Sequence, residues 1–198
     1  MIAFKIMSLT LSYSLMIAAG GRWAALAALL SGQHPQMANE ADFNSLCRQI
    51  ISEGRRVVAP AAAGDRFAEM LAKTLPTEPN KRIPTAWGGV YVVSYDTNSK
   101  VYDKNLVVRG GQYLSFEKHN EKTENLEVEE GTGVLLFRDR ASGKIAVRGF
   151  EKGARVTLNP GDEHCLIALS DMVVHERGVE PLGMDNDLVF IFRPAAAK

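Results

Sequence analysis

Between Asn39 and Leu75 apolar residues recur at spacings of three and four, with Phe43, Leu46, Cys47, Ile50 and Ile51 on one face. This spacing predicts an amphipathic helix, and Gly54 is its expected stop. A second, shorter helix is expected over Arg66 to Leu75, capped by Asp65 and burying Phe67, Met70 and Leu71, before Pro76 and Pro79 break the chain. The stretch from Pro76 to Pro84 reads as a linker or arm. Beyond Pro84 the period changes to two. Ten short segments, from Gly89–Tyr95 to Leu188–Phe192, alternate apolar and polar residues and are separated by glycine or Asn/Asp punctuation. So many strands in about 110 residues, with no helical pattern between them, predict an antiparallel sandwich or barrel.

The N-terminal end follows neither period. Met1 to Leu30 carries only Lys5 and Arg22 as charges and is rich in Ala, Leu, Ile and Met. Four readings stay open: a signal peptide with Lys5 as its basic region and Ala18, Ala19 and Gly20 near a cleavage point, a membrane anchor, a non-native extension preceding Met37, or an apolar helix that is part of the structure. A bilayer span needs about 20 apolar residues, which this stretch reaches only by including Arg22 and two glycines. The expected organisation is an apolar leader or extension over 1–36, a helical arm and linker over 37–84, and a β-domain over 85–198. A cytoplasmic location is expected unless the leader directs export or anchoring, and a membrane is a partner only if the leader is retained.

Composition narrows the function. Lys and Arg number 23 against 23 Asp and Glu, so the chain lacks the basic excess of a general nucleic-acid binder. The two cysteines, Cys47 and Cys165, form no CxxC spacing and support neither a disulfide framework nor a cysteine-type zinc site.

Candidate chemistry lies in two β segments. In GQYLSFEKHNEKTENLEVEEG, His119 stands among Glu117, Glu121 and Glu124. Residues two apart on a strand share a face, so Glu117 and His119, or His119 and Glu121, can reach one point. Glu124 shares its face with Leu126 and Val128, where an ionised carboxylate is costly unless it is paired or bound to a cation. Leu114 and Phe116 alternate out of phase with His119, a pattern that would turn His119 toward water. In NPGDEHCLIAL, a Pro-Gly turn delivers His164 onto the face of Leu166 and Ala168. Histidine and carboxylate donors from two distant strands suit Zn, Mn, Fe, Co or Ni, and donor type does not choose among them.

These blocks resemble the cupin superfamily, and within it the mannose-6-phosphate isomerase-like group. The resemblance covers Ala86 to Phe192: AWGGVY near its start, GQYLSFEKH, then His119, Lys122, Glu124, Leu126, Val128 and Gly131 in order, Pro160 with His164, and a closing GVEPLGMDNDLVFIF with Asp185 and Asp187. It implies a mainly β fold, a single cupin barrel (double-stranded β-helix or jelly roll) with an α-helical N-terminal region.

By that resemblance His119, Glu124 and His164 hold a divalent metal, with Glu121 or Glu117 as a fourth ligand. The activity implied is aldose–ketose isomerisation of a sugar or sugar phosphate, with a homodimer as the assembly. Glu121 and Lys122 are the catalytic candidates, and Arg109 and Lys122 the candidates for holding a phosphate or sugar hydroxyls. Five positions depart from the pattern: Glu121 stands where many cupins have a second histidine, Glu117 replaces a glutamine, Lys122 an arginine and Leu126 a tryptophan, and apolar residues replace an asparagine expected shortly after His164. The additional carboxylate makes the site more anionic, less suited to a phosphorylated sugar and more suited to a hard cation. A non-catalytic sugar- or small-molecule-binding cupin and an iron-dependent cupin dioxygenase stand as alternatives.

Overall fold

The period-two segments are strands in the computed structural model, which describes residues 23, 26, 37–57, 64–72, 82–183 and 186–195. The leader over 1–36 other than Trp23 and Leu26, the linker over 76–81 and Asp185 lie outside the described residues. Among the described residues, eleven strands follow the helices α1 (Glu40–Val57) and α2 (Asp65–Ala72). The strands are β1 (Arg82–Thr85), β2 (Gly88–Tyr95), β3 (Val101–Val108), β4 (Phe116–His119), β5 (Thr123–Glu130), β6 (Thr132–Arg138), β7 (Ile145–Glu151), β8 (Arg155–Leu158), β9 (His164–Ala168), β10 (Met172–Val179) and β11 (Leu188–Phe192). They form two antiparallel sheets, ordered β1-β2-β3-β10-β5-β8 and β11-β4-β9-β6-β7. The eleventh strand is β1, which pairs with β2 where the sequence suggests a linker. Among the described residues no helix is long and apolar enough to cross a membrane.

Helix α1 runs through Gly54 to Val57 instead of stopping there. The glycine serves close packing instead: a Cβ at Gly54 would lie 2.7 Å from Leu169, just after β9. Phe43 of α1 meets the rings of Tyr113, Phe116 and Phe192 at centroid distances of 5.7, 6.1 and 6.0 Å. Polar pins hold both ends of the helix. Asn44 accepts from the Tyr113 hydroxyl at 2.6 Å and from the Ala195 amide at 2.7 Å, and Arg55 Nε donates to the Leu169 carbonyl at 2.8 Å. Trp23 and Leu26, read from sequence as leader, are buried in the same layer. Cys47 and Cys165, distant in sequence, also both lie in it as free thiols.

This helical layer explains the out-of-phase alternation in β4. Phe116 faces α1, whereas Glu117 and His119 line a cavity inside the barrel, so both faces of the strand are covered and His119 is 4% exposed. Strand β9 behaves likewise, with Cys165, Ile167 and Leu169 under α1 and Leu166 and Ala168 in the barrel core.

Inside the barrel each stripe changes character along its strand. On β5, Val128 and Leu126 lie in the apolar core while Glu124 lines the cavity; on β3, Val108 and Leu106 give way to Lys104; on β10, Met172 and Val174 give way to Glu176. One half of the barrel is thus a hydrocarbon core and the other an ionic chamber.

Because Phe43 is fully buried between α1 and the sheet, Phe43→Ala is expected to lower the free energy of unfolding by about 3–5 kcal/mol. Urea denaturation measures this, and a loss below about 1 kcal/mol would show that the helix is not part of the cooperative core.

Candidate functional site

The ionic half of the barrel is centred on an ammonium group. Lys122, 1% exposed, places Nζ 2.7 Å from Glu176, 2.9 Å from Glu124 and 3.1 Å from Glu180. Lys104 Nζ stands 3.4 Å from Glu176 and 3.7 Å from Glu180. Both ammonium groups also lie over the ring of Tyr102, at 4.8 Å for Lys122 and 5.1 Å for Lys104. Burial alone would raise the Glu176 carboxyl, but Lys104 and Lys122 overcome it and hold the group below the usual carboxylate range. The register makes room for this cluster at Gly178, opposite Glu124 on one side and Tyr102 on the other, where a Cβ would meet the Thr123 carbonyl at 1.9 Å.

Glu124 is shared between this cluster and two imidazoles. Its Oε1 is 3.6 Å from His119 Nε2 and its Oε2 is 3.3 Å from His164 Nε2. Each imidazole is oriented by its other nitrogen. His119 Nδ1 bonds Asp187 Oδ1 at 2.7 Å, and His164 Nδ1 bonds the Asp162 carbonyl at 3.1 Å. A carbonyl can only accept, so Nδ1 of His164 carries a proton, and a neutral His164 turns its Nε2 lone pair toward Glu124. The Asp187 carboxylate assigns the same tautomer to His119. In their neutral forms the two imidazoles would thus turn lone pairs toward one carboxylate, an arrangement suited to a cation.

Turns hold these groups in place. Asp187 Oδ2 accepts from the amides of Glu121 and Lys122, both at 2.9 Å. Burial acts to raise its carboxyl, and the His119 and amide hydrogen bonds outweigh this and hold it at about 2. The Pro160–Gly161 turn that delivers His164 donates from the Gly161 amide to the His119 carbonyl at 2.6 Å, with Gly161 at φ +83°. Glu117 lines the same cavity, accepts from the Ser115 hydroxyl, and has its pKa raised by burial.

The structure brings together His119, Glu124, His164, Glu117 and Lys122. It leaves two sequence candidates outside. Glu121 is exposed and absent from the cavity lining, because only its amide turns inward, to Asp187; Arg109 is exposed at the end of β3 and absent from the lining too. Lys122 lines the cavity but is committed to three glutamates, which removes it as a free phosphate or proton-transfer group. His175 lies on the other face of β10, 2.7 Å from Asp103, and its neighbour Glu176 takes the inward position. Sequence reasoning missed roles for Lys104, Glu176, Glu180 and Asp187. The signal for two of them was present: Lys104 is in phase with Leu106, and Glu176 with Val174.

Donor chemistry fits a divalent cation. For bonds of about 2.1 Å, tetrahedral ligands stand roughly 3.4 Å apart, close to both imidazole–carboxylate separations. Among the described residues, no group of three or more His, Cys, Asp or Glu is gathered tightly enough to hold a metal as it stands.

No family model and no curated protein matches the chain. Solved structures do. The capsular polysaccharide assembling protein CapF from Staphylococcus aureus superposes with a TM-score of 0.52 at 21% identity, over 59% of this chain and 33% of that one. CapF with the inhibitor 3-isopropenyl-tropolone gives 0.51 at 16% identity, over 86% and 46%. Oxalate decarboxylase from Bacillus subtilis gives 0.51 at 13% identity, over 62% and 34%. The chain thus spans less than half the length of each of these proteins. At these identities the likeness establishes the fold, and the fold is that of a cupin.

Lys122→Met leaves buried carboxylates without their ammonium partner and is expected to cost roughly 3–5 kcal/mol of stability at pH 7. Since Lys122 depresses the folded-state pKa of Glu176, that contribution is present above the carboxylate range and is lost as pH falls through it. In the variant the same carboxyls take up protons more readily, so the gap from wild type is expected to narrow between pH 7 and pH 4. Denaturation at several pH values measures it; a gap that widens on acidification would contradict the pairing.

Proposed function

We propose that the chain is a metal-dependent cupin that binds a divalent cation through His119, Glu124 and His164, with Glu117 beside them, and acts on a small oxygen-bearing molecule. The observation that carries this reading is the convergence of two Nε2 atoms on Glu124, each imidazole held by an acceptor at Nδ1. A bound cation would polarise a substrate carbonyl or hydroxyl.

The protein's own groups do the rest. Asp187 fixes the His119 ring, and Lys122 holds one Glu124 oxygen. Glu117, whose pKa burial raises, lines the cavity beside these groups and is the one best placed to give or take a proton. Within this class the sequence resemblance supports aldose–ketose isomerisation, in which such a group moves a proton between adjacent carbons. The phosphate half of a sugar-phosphate reading finds less support, since both cavity lysines are ion-paired and Arg109 lies elsewhere. A non-catalytic small-molecule-binding cupin is the second reading, favoured by the loss of Lys122 and Glu121 as free catalytic groups.

Elemental analysis of the full chain after reconstitution is expected to find about one divalent metal per chain, lost in His119→Ala and His164→Ala. Asp187→Asn is expected to weaken metal affinity roughly 10- to 100-fold with the fold retained. Folded wild-type protein that takes up no metal would overturn the reading.

A further inference from the structure

The cavity has a volume of about 270 Å³, at the small end for ligand pockets, and its walls are of two kinds. Around His119, Glu124 and His164 they are ionic. Elsewhere they are apolar, formed by Trp87, Leu126, Leu166, Leu188 and Phe190 among others. Ile83 and Phe190 line the cavity yet are 39% and 42% exposed, which puts a hydrophobic rim at its mouth. A polyhydroxylated, dianionic ligand would leave its hydroxyls against hydrocarbon there.

Charge points the same way. In and beneath the cavity Glu117, Glu124, Glu176, Glu180 and Asp187 stand against Lys104 and Lys122, so one bound divalent cation leaves no positive excess to attract a phosphate. Thr85 Oγ1, a buried hydroxyl without a hydrogen-bond partner among the described residues, lines the cavity and is open to a ligand oxygen.

We propose that the cavity takes a small uncharged molecule with an apolar body and two adjacent oxygen donors, of the hydroxy-ketone class. The oxygens face His119, Glu124 and His164, and the body lies against Trp87, Leu126, Leu188 and Phe190. This rests on the metal reading, and it excludes hexose phosphates as preferred ligands.

The test is calorimetric titration of the metal-loaded full chain with 2-hydroxyacetophenone, hydroxyacetone and mannose 6-phosphate. The two ketones carry the same oxygen donors and differ in their apolar body. The aromatic ketone is expected to bind roughly tenfold or more tightly than hydroxyacetone, and mannose 6-phosphate more weakly than the aromatic ketone. Phe190→Ser, at an exposed rim position, is expected to reduce the preference for the aromatic ketone by about threefold or more with metal content unchanged. Equal affinity for the two ketones, or tighter binding of mannose 6-phosphate, by protein with its metal in place overturns this proposal and leaves the metal reading standing. A chain that retains no metal overturns both.

Discussion

The barrel's interior depends on one buried ammonium group. Lys122 sits within 3.1 Å of Glu124, Glu176 and Glu180, carboxylates from β5, β10 and the chain just after β10. None of these ions could remain in a hydrocarbon core without the others, because an unpaired buried charge costs several kcal/mol. Their mutual satisfaction is what lets the inward stripes of β3, β5 and β10 turn from apolar to charged halfway along. Lys104 and the face of Tyr102 complete the enclosure.

The same constraint positions the chemistry. Glu124 gives one oxygen to Lys122 and stands between two imidazoles, so the ion cluster acts as a rigid back wall for a carboxylate aimed at His119 and His164. Asp187, from the start of β11, ties the other side by holding both the His119 ring and the turn into β5. The cavity is therefore bounded by groups whose positions are fixed from three directions, while its remaining walls are apolar.

Much of this was legible in sequence for a simple reason. Period-two alternation marks strands wherever one face is buried, and it exposed Glu124 and His164 as polar residues on apolar faces. The same rule left the direction of His119 open, since β4 is covered on both sides and Phe116 reports the face under α1, not the barrel interior. Gly54 looked like a helix stop because its role is close packing against Leu169, a contact no local pattern contains. Glu121 and Arg109 were attractive by residue type, yet side-chain direction at the ends of strands depends on turn geometry. The ion cluster was hidden because its members lie on β3, β5 and β10, and pairing across a sheet is not encoded in local spacing.

X-ray absorption spectroscopy of the reconstituted full chain tests the central claim most directly, because it reports the atoms around the bound ion. The account predicts two imidazole nitrogens with carboxylate oxygen at about 2.0–2.2 Å, and loss of one imidazole contribution in His164→Ala. A shell of oxygen alone, or one containing sulfur from Cys47 or Cys165, would contradict it.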